Sequence, residues 1–239
     1  MSKRILAGLA IAFTCGAAHA ADLPARGPSY KAPAPSVYDW SGFYAGGYVG
    51  YGWAKTQATD LPDYGGVPWY QIGGQFSTSP SSFNGGGQAG YNYQFGSWMA
   101  GVEGDIGSLR LKGTGLYNAG ALDTFITTNG SYIATLRGRL GFASGVNLFY
   151  VTGGAAWGDF NSQVVSFSNF ISPPTGTQAG WTLGGGWEYA FSNQWSVKAE
   201  YLHYDMGSKT VILANTSSPF SIKNTGDLVR LGINYHFGR

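Results

Sequence analysis

The sequence is short of three things. Cysteine occurs once, as Cys15; charged residues make up 11% of the chain, against about 25% in an ordinary soluble domain; and no apolar run after the first twenty residues reaches the ~18 needed for a membrane helix. Each shortage excludes something. Residues 1–20 read as a secretory leader: Lys3-Arg4, the apolar stretch ILAGLAIAF, then Ala18-His19-Ala20 as a small-x-small cleavage site. Cys15 lies inside it, and Ala12 and Thr14 stand where a lipoprotein signal would want Leu and a small residue. The exported chain then has no cysteine, so disulfides and thiolate-bound metals are excluded. Of the 14 Lys and Arg, Lys3 and Arg4 leave with the leader, and the remaining 12 match the 12 Asp and Glu. No basic footprint for nucleic acid remains.

Glycine (39 residues) and aromatics (16%) are abundant instead. Residues 21–41 hold Pro24, Pro28, Pro33 and Pro35 among small residues and are expected to form an extended, mobile tail. From residue 42 to the end, period-two alternation dominates. In NGGGQAGYNYQFGSWMAGVEGDI (84–106), Ala89, Tyr91, Tyr93 and Phe95 alternate with Gln88, Asn92 and Gln94. After Gly96-Ser97, Trp98, Ala100, Val102 and Ile106 alternate with Met99, Glu103 and Asp105. Six more such segments follow the same rule, at 42–54, 131–142, 148–157, 179–191, 195–203 and 227–237. Each is near the 9–11 residues that a tilted strand needs to cross a bilayer. Short links (96–97, 143–147, 192–194) alternate with long ones (55–83, 107–130, 158–178, 204–226), the last group rich in Gly, Ser, Thr and Asn and expected to be mobile surface. An even strand number with short turns at one end and long loops at the other is the pattern of a transmembrane barrel. The fold class expected is all-β: an eight-stranded antiparallel transmembrane β-barrel over 42–239.

The faces can be assigned from apolar residues alone and then tested with charge. Glu103, Asp105, Arg137, Arg139, Glu188, Lys198, Glu200 and Arg230 all fall on the polar parity. A Lys or Arg facing lipid at the midplane costs about 2–4 kcal/mol, so the apolar face is the outside and these eight line the lumen. Asp227 has the other parity, at a rim. Phe43, Phe95, Trp98, Phe142, Phe149, Phe191, Trp195 and Phe237 share the outward parity at the short-turn ends, where an interfacial girdle belongs. Acids on the third strand would face bases on the fourth, and Glu188, Lys198, Glu200 and Arg230 fall on the last three. Buried charges need partners, so the expectation is a cross-linked, largely closed lumen; solvated charges in an open bore are the alternative. Small residues of lumen parity, such as Gly46, Gly90 and Gly186, leave room for long side chains.

Four stretches, AADLPARGPSY, YDWSGFYAGGYVGYGWA, YVTGGAAWG and YLHYDMGS followed by LVRLGINYHF, resemble the small outer-membrane β-barrel proteins of alphaproteobacteria, the immunogenic surface proteins often grouped as a porin family. The resemblance implies residence in the cell outer membrane and exposed antigenic loops. It also implies a role in envelope integrity, contact with outer-membrane lipid and lipopolysaccharide, and delivery by the barrel-assembly machinery through the C-terminal strand. Such barrels usually end on the aromatic residue; here Gly238-Arg239 follow Phe237. A small-solute porin is the alternative function and a haem-binding surface protein the second.

Chemistry is thinly represented. A lipid-modifying enzyme would need a nucleophile, a base and an orienting acid together. His203, with Glu200 and Asp205 nearby in sequence, and His236 are placed at opposite ends of the barrel. A metal site would draw on loop carboxylates such as Asp60 and Asp63; by the resemblance alone, Tyr64, Tyr70 or Tyr117 could contribute to haem. No enzymatic activity and no cofactor is expected.

Overall fold

A computed structural model of the protein describes residues 38–62, 73–117, 124–166, 171–214 and 218–238. The expected leader and most of the expected tail lie outside the described residues. Ten strands follow: β1 (Gly42–Asp60), β2 (Gln75–Thr78), β3 (Ser81–Phe95), β4 (Trp98–Leu109), β5 (Lys112–Tyr117), β6 (Thr124–Ser144), β7 (Asn147–Ser166), β8 (Thr177–Ala190), β9 (Trp195–Ile212) and β10 (Pro219–His236). Eight of them form an antiparallel ring in the order β1-β3-β4-β6-β7-β8-β9-β10, closed by β10 pairing β1. β2 pairs β1 beyond the end of β3, and β5 pairs β6 beyond the end of β4.

The short turns gather at one end. Phe95 and Trp98 pair across Gly96-Ser97, and Ser144 pairs Asn147 across Gly145-Val146. Gly96 (φ 64°) and Gly145 (φ 59°) take the left-handed conformation that such two-residue hairpins demand.

At the other, distal end the long links are not the mobile loops expected from composition. Much of 55–83, 107–130, 158–178 and 204–226 is strand, and β6 and β7 run to 21 and 20 residues. Two physical causes hid this. The first is an inversion of pattern. Near the turns the outward residues are apolar and the inward ones polar; distally Gln57, Asn129, Asn161, Gln163 and Lys223 face out while Ala58, Phe76, Ile126, Val164, Val211, Phe220 and Ile222 are buried inside. The second is loss of parity at bulges. In β6 the register shifts between Gly130 and Ile133, so even positions face in before the bulge and odd positions after it. In β9 the irregularity falls at Met206-Gly207; Gly207 has φ 70°, and its N–H donates to Asp205 Oδ1 at 2.8 Å. Pro80, which has no N–H to give the ladder, separates β2 from β3.

The interior is stacked in layers. At the turn end Trp40, Met99, Leu148 and Ala190 form an apolar cluster. The ionised layer follows. Above it lies a second apolar cluster with Leu109, Ile133, Phe160, Leu202, Met206 and Leu228. A polar shelf comes next, where Thr56 donates to Asn224 (2.6 Å), Asn224 donates to Gln178 (3.2 Å), and Thr128 meets Ser162 (3.1 Å). The distal apolar cluster caps the stack.

Candidate functional site

All eight lumen-parity charges are buried and meet in one layer. Their positions follow from alternation: each lies two residues from the next inward residue, on strands whose outward neighbours are Val102, Leu136, Leu140, Val197 and Val229. Arg137 is the hub. Its Nη2 donates to Glu103 (2.6 Å) and Asp105 (2.9 Å), its Nη1 to Glu200 (3.0 Å), and its Nε to Thr135 (2.9 Å). Arg139 reaches Glu188 at 2.8 Å and Glu103 at 3.4 Å. Lys198 donates to Glu103 at 2.9 Å and lies 3.7 Å from Glu200. Arg230 pairs Asp105 at 2.9 Å. The acids of β4 therefore meet bases of β6, as adjacency suggests. The two sets expected on separate groups of strands are in fact joined across the bore: Arg137 on β6 to Glu200 on β9, and Lys198 on β9 to Glu103 on β4.

Three tyrosines belong to the layer. The Tyr44 hydroxyl donates to Glu103 (2.7 Å) and accepts from Arg139 (2.5 Å); the Tyr150 hydroxyl donates to Glu200 (2.9 Å); that of Tyr48 lies 3.4 Å from Asp105. The guanidinium of Arg139 sits 4.0 Å above the Tyr150 ring, and that of Arg230 4.3 Å above Tyr48. Their lumen parity is a readable signal, but the lumen is read from charged residues alone in the sequence, and these three tyrosines are not placed. The space they occupy is made by glycine. Tyr44 pairs Gly90 across the ladder and Tyr150 pairs Gly186, and a Cβ on either glycine would overlap the tyrosine hydroxyl.

The turn-end mouth holds a residue assigned to the tail. Trp40 is fully buried, its backbone N–H donating to Gln94 Oε1 at 2.7 Å. Its ring packs 5.8 Å from that of His236. His236 is not an exposed rim residue. It is buried, 3.0 Å from Ser196 Oγ and 3.7 Å from Glu188. His203 is at the far side of the wall and pairs neither Glu200 nor Asp205; its Nδ1 is 2.9 Å from Asp227. Asp60 is buried at the distal end of β1. Asp63, Tyr64 and Tyr70 lie outside the described residues, and Tyr117 ends β5. Among the described residues, no three His, Cys, Asp or Glu side chains gather as metal ligands.

The family model of the outer membrane protein beta-barrel domain matches residues 8–237. The chain belongs to this family. Its relatives include the 31 kDa outer-membrane immunogenic protein of Brucella melitensis, 33% identical over 99% of this chain and 100% of the relative. Another is the 22 kDa outer membrane protein of Rhizobium leguminosarum, 32% identical over 87% of this chain and 82% of its own. Among solved structures, OprG of Pseudomonas aeruginosa superposes with a TM-score of 0.52 at 13% identity, over 85% of this chain and 100% of that one, which shows the shared barrel fold. The protein is thus an alphaproteobacterial-type outer-membrane barrel.

In an outer-membrane barrel the outward apolar band faces lipid. Phe43, Phe95, Trp98, Phe142, Phe149, Phe191, Trp195 and Phe237 are 40–66% exposed on the wall at the turn end. Trp53, Trp157 and Trp181 form an outward row on the distal side. Trp53 lies ten residue steps after Phe43 on β1. At ~3.4 Å per residue and a ~45° tilt this spans about 24 Å, matching the ~25 Å apolar band of such barrels.

Proposed function

We propose that the protein is a non-enzymatic structural component of the outer membrane, with a closed bore and a rigid, surface-exposed distal half, which contributes to envelope integrity. One observation carries this reading: the ionised layer spans the bore, with four acids and four bases in mutual contact and every ion-paired side chain in it 0% exposed. Apolar layers above and below support it. A solute would have to displace paired charges whose separation costs several kcal/mol.

The short-turn end faces the periplasm, as in outer-membrane barrels generally, and the eight turn-end aromatics are the girdle at that interface. The distal strands then stand outside the cell and offer the exposed surface that the relatives' name, immunogenic protein, suggests as antigen. β10, which closes the ring against β1, is the strand offered to the barrel-assembly machinery. Phe237, the residue just after it, donates its backbone N–H to Phe43 O at 2.9 Å, and Gly238 turns away at φ 78°.

Planar-bilayer recording of the purified protein tests the reading. The expected trace has no stable, large conductance step. A reproducible step would transfer the protein to the small-solute porins.

A further inference from the structure

The wall is continuous at the membrane and interrupted beyond it. β8 and β9 pair from Ala190–Ser196 to Trp181–Asp205 and no further. β9 runs on to Ile212, paired with β10 on one side. The chain leading into β8, residues 171–176, follows β7 instead: Ser172 N–H donates to Val164 O (2.9 Å) and Thr175 N–H to Ser162 O (3.1 Å). A slot is left between this segment and the distal end of β9. Gly207, Ser208, Lys209 and Thr210 are all exposed there, whereas a strand inside a closed, filled wall buries every second residue.

The edge of β9 is a row of unused ladder groups. Pro219, opposite Ile212, has no N–H, and its carbonyl accepts from Leu61 N–H on the β1 side (3.0 Å). Ile212–Pro219 is therefore a non-hydrogen-bonded pair, and alternation makes Thr210–Ser221 and Ser208–Lys223 the same. The N–H and C=O groups of Ser208, Thr210 and Ile212 point into the slot, and no backbone group of the described residues engages them. The opposite side offers little, since Pro173 and Pro174 have no N–H. Lys209, which lies opposite buried Ile222, reaches across the slot and donates to Thr175 O. Asp205 and Lys223 neutralise each other at 3.0 Å, and Asp159 stands on β7, behind the 171–176 segment. The charge of Lys209 thus meets a carbonyl and, among the described residues, no carboxylate. Towards the tip, Ile212 and Ile171 are 47% and 45% exposed.

We propose that the distal edge of β9 is a docking site for an extended, acidic segment of another protein, which adds to the sheet as an antiparallel strand. Ser208, Thr210 and Ile212 supply the ladder hydrogen bonds. A carboxylate opposite Lys209 replaces the Thr175 carbonyl as its partner, and an apolar residue three places earlier in the added strand lies beside Ile212. A bare edge accepts any strand; Lys209 gives this one a preference, because an apolar residue set against it would leave the ammonium desolvated and unpaired. That the partner is extracellular rests on the proposed function. Binding in detergent does not, so a conductance step would leave the edge standing.

The test is titration of the purified full barrel, in uncharged detergent, with the synthetic peptide acetyl-Thr-Val-Val-Thr-Asp-Thr-Gly-amide, read by residue-level amide hydrogen exchange. In the free barrel the amides of Thr210 and Ile212 are expected to exchange fast, and those of Lys209 and Val211, which face β10, slowly. The peptide should protect Thr210 and Ile212. Lys209→Gln should weaken binding up to about fivefold, the range of an exposed ion pair, and Asn in place of the peptide's Asp should cost as much. N-methylation of the peptide's first valine and second threonine, whose N–H groups face β9, should abolish binding. Lys209 is exposed, so its exchange leaves the core intact, and heat-modifiable gel migration verifies the folded barrel. Slow exchange at Thr210 and Ile212 in the free barrel would mean an edge already paired and would overturn the proposal. So would no protection at millimolar peptide, equal binding of the N-methylated peptide, or Lys209→Gln binding as wild type. A barrel dimer that the peptide dissociates would give the slot to a second copy and overturn it as well.

Discussion

Near the turns, strands such as β7 point Val151 at lipid and Thr152 inward; nine to thirteen residues further along the same strand, Asn161 and Gln163 face outward and Val164 inward. One continuous ladder thus carries two opposite hydrophobic patterns. The difference is imposed by the solvent outside. Where hydrocarbon surrounds the wall, burial of apolar groups gives no preference for the inside, and polar groups go inward to find partners. Where water surrounds it, apolar side chains go inside, as in any soluble domain. The two halves therefore depend on different forces: ion pairs and hydrogen bonds in the membrane half, apolar burial in the distal half.

The largest expected effect concerns the membrane half. Arg137→Ala would leave the buried layer one base short, with the guanidinium's contacts to Glu103, Asp105 and Glu200 lost. Breaking a buried pair in this way costs about 3–5 kcal/mol, whereas a solvated pair is worth ~0–1 kcal/mol. The urea midpoint for unfolding from lipid vesicles should fall accordingly. Adding Glu103→Ala should recover part of the loss, because acids and bases in the layer are then equal in number again. A silent Arg137→Ala with an additive double mutant would mean a water-filled bore.

A second pair of variants sets the halves against each other directly. Val102→Arg, outward in the membrane half, is expected to cost about 2–4 kcal/mol. Thr127→Arg, outward on β6 in the distal half, should fall within the ~0.5 kcal/mol typical of surface exchanges. Equal costs from the same vesicle-unfolding experiment would abolish the distinction.

The membrane half was legible in the sequence because its alternation is strict: from Gly42 to Trp53 and from Trp98 to Ile106 no bulge interrupts it. The distal half was not, because reading by one rule fails where the solvent changes. Alternation with polar residues outward looks like loop composition when apolar-outward strands set the standard, and the bulges at 130–133 and 206–207 reset parity. The inward parity of Glu103, Arg137 and Glu200 follows from spacing, but their meeting does not. Arg137 reaches across the bore to a strand three places away in the ring, and only the bore's narrowness permits this. Tyr44, Tyr48 and Tyr150 have the inward parity, but a hydroxyl on an apolar ring does not stand out as a charge does, so the charge test passes over them. Trp40 belongs to a Pro-rich stretch with no periodicity, and nothing local marks it as the residue that fills the mouth.

The inversion can be measured residue by residue along β7 in protein refolded without residues 1–20, which hold the single cysteine, Cys15. Single cysteines at Val151, Thr152, Ala155, Asn161, Ser162, Gln163 and Val164 would be probed in refolded vesicles with a water-soluble maleimide, and with a fluorophore quenched by brominated lipid. The account expects lipid quenching at 151 and 155, aqueous labelling at 161 and 163, and neither at 152, 162 and 164. Aqueous labelling at 152 together with 162 and 164 would reveal a hydrated bore through both halves and contradict the account.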